Sequence, residues 1–497
     1  MQHQSRISSH PRRRGFVLLA VLVFIMLLSM VTLSLLFRSQ SDESASHATV
    51  GSEQAWSAAM SGVEEAIHVV STAAPGSTDW QDDANTFRAR PVYNDGADQW
   101  YFTVFSPADG DSLVEIRYGL SDEASRVNLN HPGSADLARI PGLSPTLATT
   151  LREFLGLEPQ HAAASSPEDS TQEPPGPVPS PAAQAPSDPL QVLSATQVIR
   201  HGPLATLEEL VLAPGFSRAL LHGAPVAFNL ADPLEPSTNR SGAQFPPEDL
   251  QTKRPRGLDQ YFTVFSRDPN RTHSGQPRCN LNDENDTWPA CDLPVGFSNY
   301  VAAARNAKVH LAHPADALEA SISPTDTRGA GAEVASGISK EHLPVLLDLF
   351  AADKEDGHDG LINVNTASSS VLATLPGVDL PLAESIVSTR TGLSPERRTT
   401  IAWLYQEGLV DAAKFKAIAP ALTARSTQYR FNVIGYGMPS GRFRVLEAVV
   451  DLAATNPRIL YLRDITRLGL PISLKEENPA DPNAQASHPI PLKPTRG

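Results

Sequence analysis

Positive charge, aromatic side chains and cysteine are all scarce in this chain. Lys+Arg 40 stand against Asp+Glu 55, a formal net charge of -15. An acidic body repels nucleic acid and anionic lipid at long range, so neither is the expected partner. Aromatics make up only 6%, which suits loops and small helical modules better than one dense core. Catalytic signatures are missing as well: there is no GxxxxGK[ST], HExxH, CxxC or GxSxG, and the 14 His residues show no ligand spacing. The expectation is a protein that is not an enzyme, requires no cofactor and works by assembly.

What is present begins with a long apolar run. Arg6, Arg12, Arg13 and Arg14 precede an uncharged stretch from Phe16 to Phe37. At about 1.5 Å per residue it reaches about 33 Å as a helix, enough to cross a bilayer core of about 30 Å, and the positive flank stays cytoplasmic. The stretch is longer than the h-region of a secretory signal, and no A-x-A-like site follows it closely. Helical composition continues through Val70, and Pro75-Gly76 is the first clear stop. This predicts an N-terminal helix over 16–71, membrane-spanning in 16–37.

Proline is abundant, at 43 residues. Much of it lies in Glu158–Leu190, read as disordered or extended linker, in Pro233–Gly257, and in the polar tail Pro479–Gly497. Asp98–Ser106 recurs as Asp259–Ser266, and both copies read as strands. Leu113–Tyr118 is a candidate partner strand, and Tyr429–Tyr436, Arg442–Leu452 and Ile459–Ile465 are three more near the C-terminus. A second repeat is Asn128-Leu129-Asn130, Asn280-Leu281-Asn282 and Asn363-Val364-Asn365. Each copy is expected to be a short strand that delivers an Asn to a helix start.

Three places share a helix, a Pro-Gly turn and another helix: Pro141-Gly142, Pro214-Gly215 and Pro376-Gly377. Proline ends the first helix, glycine permits the turn, and the apolar residue that follows packs the hairpin. Such helix-hairpin-helix units either pack structurally or present backbone N–H groups to a phosphate. The second glycine of a phosphate-binding turn is missing in all three. Asp379 sets a negative charge where phosphate would dock, and Pro145 removes a donor, so packing is the favoured reading and nucleic acid an unlikely partner.

Cys279 and Cys291 bracket a short acidic loop. In an oxidising compartment a disulfide here contributes about 3 kcal/mol; two unpaired thiols are the other reading.

The junction Arg14-Gly15-Phe16 resembles the class III signal of type IV pilins and type II secretion pseudopilins. In that family a prepilin peptidase cuts after the Gly, and the new N-terminal residue is methylated; the resemblance implies Gly15 and Phe16 for those roles. An uncleaved signal anchor is the other reading of the same residues. Most pilins carry Glu at the fifth mature position, and this chain has Ala20. An ionised carboxylate inside a membrane is costly unless paired, and a subunit that starts or tips a filament can do without it. The lack of that Glu resembles the minor pseudopilin K family (general secretion pathway protein K). Leu361–Arg390, with its Asn-x-Asn-Thr-Ala stretch and Leu-Pro-Gly turn, is similar to that family's core, and Ser121–Asn130 resembles its Asp-Glu element. Leu207–Leu210 with its Pro-Gly looks like its second hairpin, and Ser426–Asp451 like its returning strands.

The resemblance implies an α+β fold: a leader at 1–15, a transmembrane helix, and a pseudopilin-like α/β domain with first strands at 98–120 and returning strands at 426–467. A large, mainly helical insertion with hairpin units fills 121–425, and a tail follows at 468–497. It also implies a cell inner-membrane, single-pass protein with its body in the periplasm. The pseudopilus and the minor pseudopilins of the I and J types would be its partners, prepilin peptidase its processing enzyme and protein export its role. Calcium is known in that family, and two acidic loops are candidates for it: Asp283, Glu284 and Asp286, or Asp353, Asp356 and Asp359. Neither has EF-hand spacing. The alternative function is a membrane-anchored DNA receptor of competence type, which also places Asn-x-Asn-Thr-Ala before a hairpin.

Overall fold

The structure is a computed structural model and describes residues 14–107, 116–157, 202–222, 257–323, 325–326, 329–330, 333–454 and 456–470. The linker expected at 158–190, most of the leader, nearly all of 233–257 and the tail from 471 onward fall outside the described residues.

Helix α1 (Arg14–Thr72) is unbroken because no proline falls between Pro11 and Pro75. It stops where Pro75 cannot continue it and Gly76 turns to φ +76. From Leu18 to Val50 every residue is exposed. Among the described residues this is the one helix long and apolar enough to cross a membrane. Past Val50 the same helix becomes a packing element. Gly51, Ala55, Ala59, Gly62, Ala66 and Val70 are buried at helical spacing and form a stripe of small side chains.

That stripe lies on an antiparallel sheet. In chain order its strands are β1 (Arg90–Asn94), β2 (Gln99–Pro107), β3 (Ile116–Arg117), β4 (Ser121–Asp122), β5 (Gln428–Met438), β6 (Phe443–Asp451) and β7 (Arg458–Asp464). The spatial order is β1-β2-β5-β6-β7, with β3 on β2 and β4 on β5. Val433 is the central register residue, opposite Val104 on one side and Leu446 on the other. Alternation sends Phe102, Val104, Phe431, Val433, Leu446, Ala448 and Val450 toward Ala59, Val63, Ala66 and Val70 of α1. Gly435 sets the spacing, since a Cβ there would run into Ala55 O and Ala59 N of the helix backbone. On the opposite face Phe105, Ile434, Tyr436 and Val445 cluster with Leu470, and the Tyr101 and Tyr436 rings stack at 5.5 Å.

The fold is therefore mixed helix and sheet behind a long apolar N-terminal helix, and several expected boundaries shift. The sheet starts at Arg90 rather than 98. Its first strand carries Pro91, a residue tolerated at an edge but a poor strand signal. Ser121-Asp122, expected inside the insertion, pairs with Tyr429 and Arg430 of β5. Asp259–Ser266 is not a second copy of β2. Leu258–Gln260 is a 3-10 turn, closed by Gln260 Nε2 on Gly257 O at 3.0 Å, and only Phe262–Thr263 remains a strand. The described chain stays packed past 467, where the tail is expected to begin: Leu470 is buried.

Between β4 and β5 the chain forms a second body with one continuous core from Val127 to Leu422. It holds short helices and 3-10 turns, chiefly Pro145–Leu155, Phe297–Asn306, Leu343–Leu349 and Leu380–Thr391. Three parallel pairs of two-residue strands tie it together, Val127–Asn128 with Phe262–Thr263, Cys279–Asn280 with Phe350–Ala351, and Ile362–Asn363 with Leu422–Thr423.

Candidate functional site

Those three strand pairs are one device used three times. In each, the first Asn of the Asn-x-Asn repeat ends the leading strand, and its side chain accepts the N–H of the second Asn. The distances are 2.9 Å (Asn128 to Asn130), 2.8 Å (Asn280 to Asn282) and 2.9 Å (Asn363 to Asn365). The residue between them, Leu129, Leu281 or Val364, is fully buried, and its N–H bonds the partner strand at Thr263 O, Ala351 O or Thr423 O. The second Asn then clamps two distant segments through its Nδ2. Asn130 reaches Leu204 O and Val264 O, Asn282 reaches Leu311 O and Ala352 O, and Asn365 reaches Arg398 O and Ala424 O. Its Oδ1 accepts Leu204 N–H, Leu311 N–H or the Trp403 Nε1–H.

The segments clamped in the first two copies are themselves alike. Glu209 caps Ala205 and Thr206, and Asp316 caps Ala312 and His313, each from three residues ahead of its nearer N–H. The middle module, spanning 279–352, therefore has the same frame as its neighbours although it has no Pro-Gly turn. The stretch around 300–350 offered no motif in the sequence; its equivalence lies in hydrogen bonds to backbone carbonyls, which residue identity does not encode.

The Pro-Gly turns have one geometry. Gly142, Gly215 and Gly377 take φ +82, +81 and +73. The next residue's N–H closes each turn: Leu143 on Ile140 O, Phe216 on Ala213 O, Val378 on Leu375 O. Leu143, Phe216 and Val378 are buried, as hairpin packing requires. The segments before the first two turns are 3-10, Leu137–Arg139 and Leu207–Leu212, instead of α-helical. Ser144, Ser217 and Asp379 cap the helices that follow by accepting the N–H of Leu147, Leu220 and Leu382.

Those caps decide what the hairpins can bind. In each following helix one first-turn N–H that could meet a phosphate is already taken, in the third by a carboxylate. Two nearby cations are engaged too, while Arg218 after the second turn is exposed: Arg139 Nη1 donates to Ala373 O and Val378 O, and Arg390 Nη1 to Val364 O and Ala367 O. Arg397 pairs with Glu407, and Arg398 Nη1 reaches Thr78 Oγ1 in the loop after α1.

The hairpin body joins the sheet through buried charge. Asp122, in β4, accepts from Ala124 N–H on one oxygen. Its other oxygen takes Asn363 Nδ2 at 2.8 Å, Thr366 Oγ1 at 2.5 Å and Ser426 Oγ at 2.7 Å. Burial pushes its carboxyl up to about 6 in spite of these donors, which favour the ionised form. Glu123 is fully buried beside Arg126 at 3.1 Å and Arg430 at 2.7 Å, and it accepts the Thr263 hydroxyl. Desolvation opposes its charge, but the two guanidiniums prevail and hold it below the usual carboxylate range. Arg430, on β5, also pairs with Glu447 of β6 at 2.9 Å. Asp122 thus binds the third module to the sheet, and Glu123 the first. Asp122 and Glu123 were visible in the sequence as an adjacent acidic pair, but their partners lie up to about 300 residues away.

The remaining site expectations fall as follows. Gly15 and Phe16 lie in the first turn of α1. Cys279 and Cys291 are free thiols, both half-buried. Of the first acidic loop, Asp283 and Asp286 share the ammonium of Lys354, at 3.2 Å from Asp286, while Glu284 is exposed. Lys354 comes from the second acidic loop, so the two loops meet across a lysine. Asp353, Asp356 and Asp359 do not converge. Asp353 caps Glu355 N–H, Asp356 O accepts from Asn270 N–H, and Asp359 pairs with Arg267. Among the described residues no group of three acidic, His or Cys side chains is placed to hold a metal ion. No protein-family model and no curated protein matches the chain.

Proposed function

We propose that this chain is a membrane-anchored assembly subunit, a minor pseudopilin of the K type at the tip of a type II secretion pseudopilus. One observation carries this reading: a single helix joins an exposed apolar half to a half that packs by small residues on an antiparallel sheet. A helix of this kind anchors the body in the inner membrane and offers its first half to neighbouring subunits. The prepilin-like Gly15-Phe16 junction and Ala20 at the fifth mature position add support. The body then lies in the periplasm, and its partners are the I-type and J-type minor pseudopilins. Its work is to initiate the filament and support protein export, without catalysis or a required cofactor.

The capped hairpin helices and the internally bonded Arg139 and Arg390 weigh against the DNA-receptor reading. N-terminal sequencing of the membrane-extracted protein tests the proposal. A mature chain starting at N-methylated Phe16 is expected, with Gly15→Val abolishing the cut. An intact Met1 in cells that carry prepilin peptidase overturns it.

A further inference from the structure

Where the second and third modules meet, the loop 267–278 borders a cleft of about 450 Å³. Arg278 lines it. Its Nε donates to Asp348 O at 3.1 Å, and no protein partner for its two Nη groups occurs among the described residues. Arg425 lines the same cleft. Its Nη groups are held by Asp268, Pro269 O and Arg271 O, which leaves a buried Nε with no partner. His273 spends its Nδ1 on Asp348 Oδ1 at 2.6 Å, and its Nε2 is buried without a partner. In His313 the Nδ1 accepts Ala315 N–H at 3.1 Å, which fixes the ring proton on Nε2. Burial, then the charges of Arg278 and His358, depress the His313 pKa to about 3, so this ring is a neutral donor.

The acidic side chains around the cleft are largely committed. Asp268 is taken by Arg425 and by the Thr423 hydroxyl at 2.7 Å, and Asp348 by His273. Asp353 accepts Glu355 N–H at 3.1 Å with His358 at 3.7 Å, and Asp359 faces Arg267 and, at 4.0 Å, His131. Glu355 is exposed at the rim. Two guanidiniums therefore act on each other across the cleft, and the two carboxylates that offset them, Asp268 and Asp348, are already bonded to Arg425 and His273. Desolvation, then the like charge of Arg425, outweigh the attraction of Asp268 and Asp348 and lower the Arg278 pKa to about 10. An anion relieves the repulsion and meets a planar fork of free N–H groups.

We propose that this cleft binds a small oxyanion, with the Arg278 Nη groups as its bidentate clamp and His313 Nε2–H as a second donor. The guanidinium fork matches two oxygens of a phosphate, a sulfate or a carboxylate equally well. The ligand is thus either a tetrahedral inorganic ion or a small carboxylic acid. The site lies in the hairpin body, apart from α1 and the sheet, and does not depend on the secretion reading.

The test uses the full-length chain in detergent. Titration calorimetry with inorganic phosphate, sulfate and acetate is run against chloride at matched ionic strength. Saturable binding of at least one oxyanion with a dissociation constant below about 10 mM is expected. Arg278→Gln should weaken it about tenfold or more, and Arg278→Lys, which keeps the charge but loses the fork, should weaken it less. Preference for phosphate and sulfate over acetate identifies a tetrahedral ligand, and the reverse identifies a carboxylate; either, if it depends on Arg278, carries the proposal. His313→Gln, which keeps an N–H donor, is the second variant should Arg278→Gln fail to fold, and a measurable loss of affinity is expected there too. No saturable binding by any of the three anions, or binding unchanged in every variant, overturns it.

Discussion

Replacing the second Asn of each module should measure what the clamps contribute, and Asn365→Ala is the most informative case. Asn365 is 6% exposed and makes three long-range bonds, to Arg398 O at 2.8 Å, Ala424 O at 2.9 Å and from Trp403 Nε1 at 3.2 Å. Truncation leaves the Nε1–H of fully buried Trp403 and two carbonyls without partners. Each orphaned buried group costs about 1–3 kcal/mol, and partial relaxation lowers the sum, so a loss of about 4 kcal/mol is expected. Asn282→Ala removes the same number of bonds at a half-exposed position, where water can replace some of them, and should cost about 2 kcal/mol. Urea unfolding of the detergent-solubilised chain gives the totals. Hydrogen exchange at the Leu204 and Leu311 amides, donors to the first two clamps, reports locally in Asn130→Ala and Asn282→Ala. If Asn365→Ala costs less than about 1 kcal/mol, or if exchange rises equally everywhere, the clamps do not organise the modules.

Two further outcomes follow from the sheet. Gly435→Ala places a methyl against the α1 backbone at Ala55 and Ala59, which cannot yield without the helix moving. Gly62→Ala meets side chains first, Val433 Cγ1 at 2.6 Å and the Phe102 ring at 2.9 Å, rather than backbone. Thermal denaturation should show Gly435→Ala the worse by about 2 kcal/mol, and equal effects would refute the close approach. Asp122 gives a pH dependence. Its native pKa, about 6, exceeds the unfolded value of about 3.9, so the folded state holds the proton more tightly. The stability this contributes is fully present below about pH 4 and is lost as pH rises through about 6, on the order of 3 kcal/mol in all. Asp122→Asn should flatten the slope between pH 4 and 7 in denaturant titrations, and an unchanged slope assigns the dependence to other groups.

The long elements were legible because each has a periodic pattern. The apolar run to Phe37 and the absence of proline before Pro75 placed α1 closely. Alternation placed the three C-terminal strands, described as Gln428–Met438, Phe443–Asp451 and Arg458–Asp464. The Pro-Gly turns were legible because only glycine adopts their positive φ without strain. What escaped has a physical reason in each case. A strand of two residues has no period to detect, so Asn128, Asn280 and Asn363 were visible as a repeat but their parallel partners were not. The Asp259–Ser266 copy shares composition with β2, yet the Leu258–Gln260 turn and the His222–Asp259 contact fold its first half away from the sheet. Local propensity gave way to tertiary context there.

The middle module carries the broader argument. It lacks the Pro-Gly turn and replaces Glu209 with Asp316, yet it keeps the Asn280–Asn282 clamp and the parallel pairing with Phe350–Ala351. The turn is therefore the dispensable part of the device and the clamp the retained part. A hairpin built to read phosphates would be expected to keep its turn, where the N–H groups are, and to let the scaffold vary. Here Ser144, Ser217 and Asp379 each take one of those N–H groups from within, while side chains that join distant backbone are kept in all three copies. That pattern favours a scaffold over a reader of phosphates. Asp122 and Glu123 extend the same bonding into the sheet, tying it to the third and first modules through buried hydrogen bonds rather than through a flexible joint.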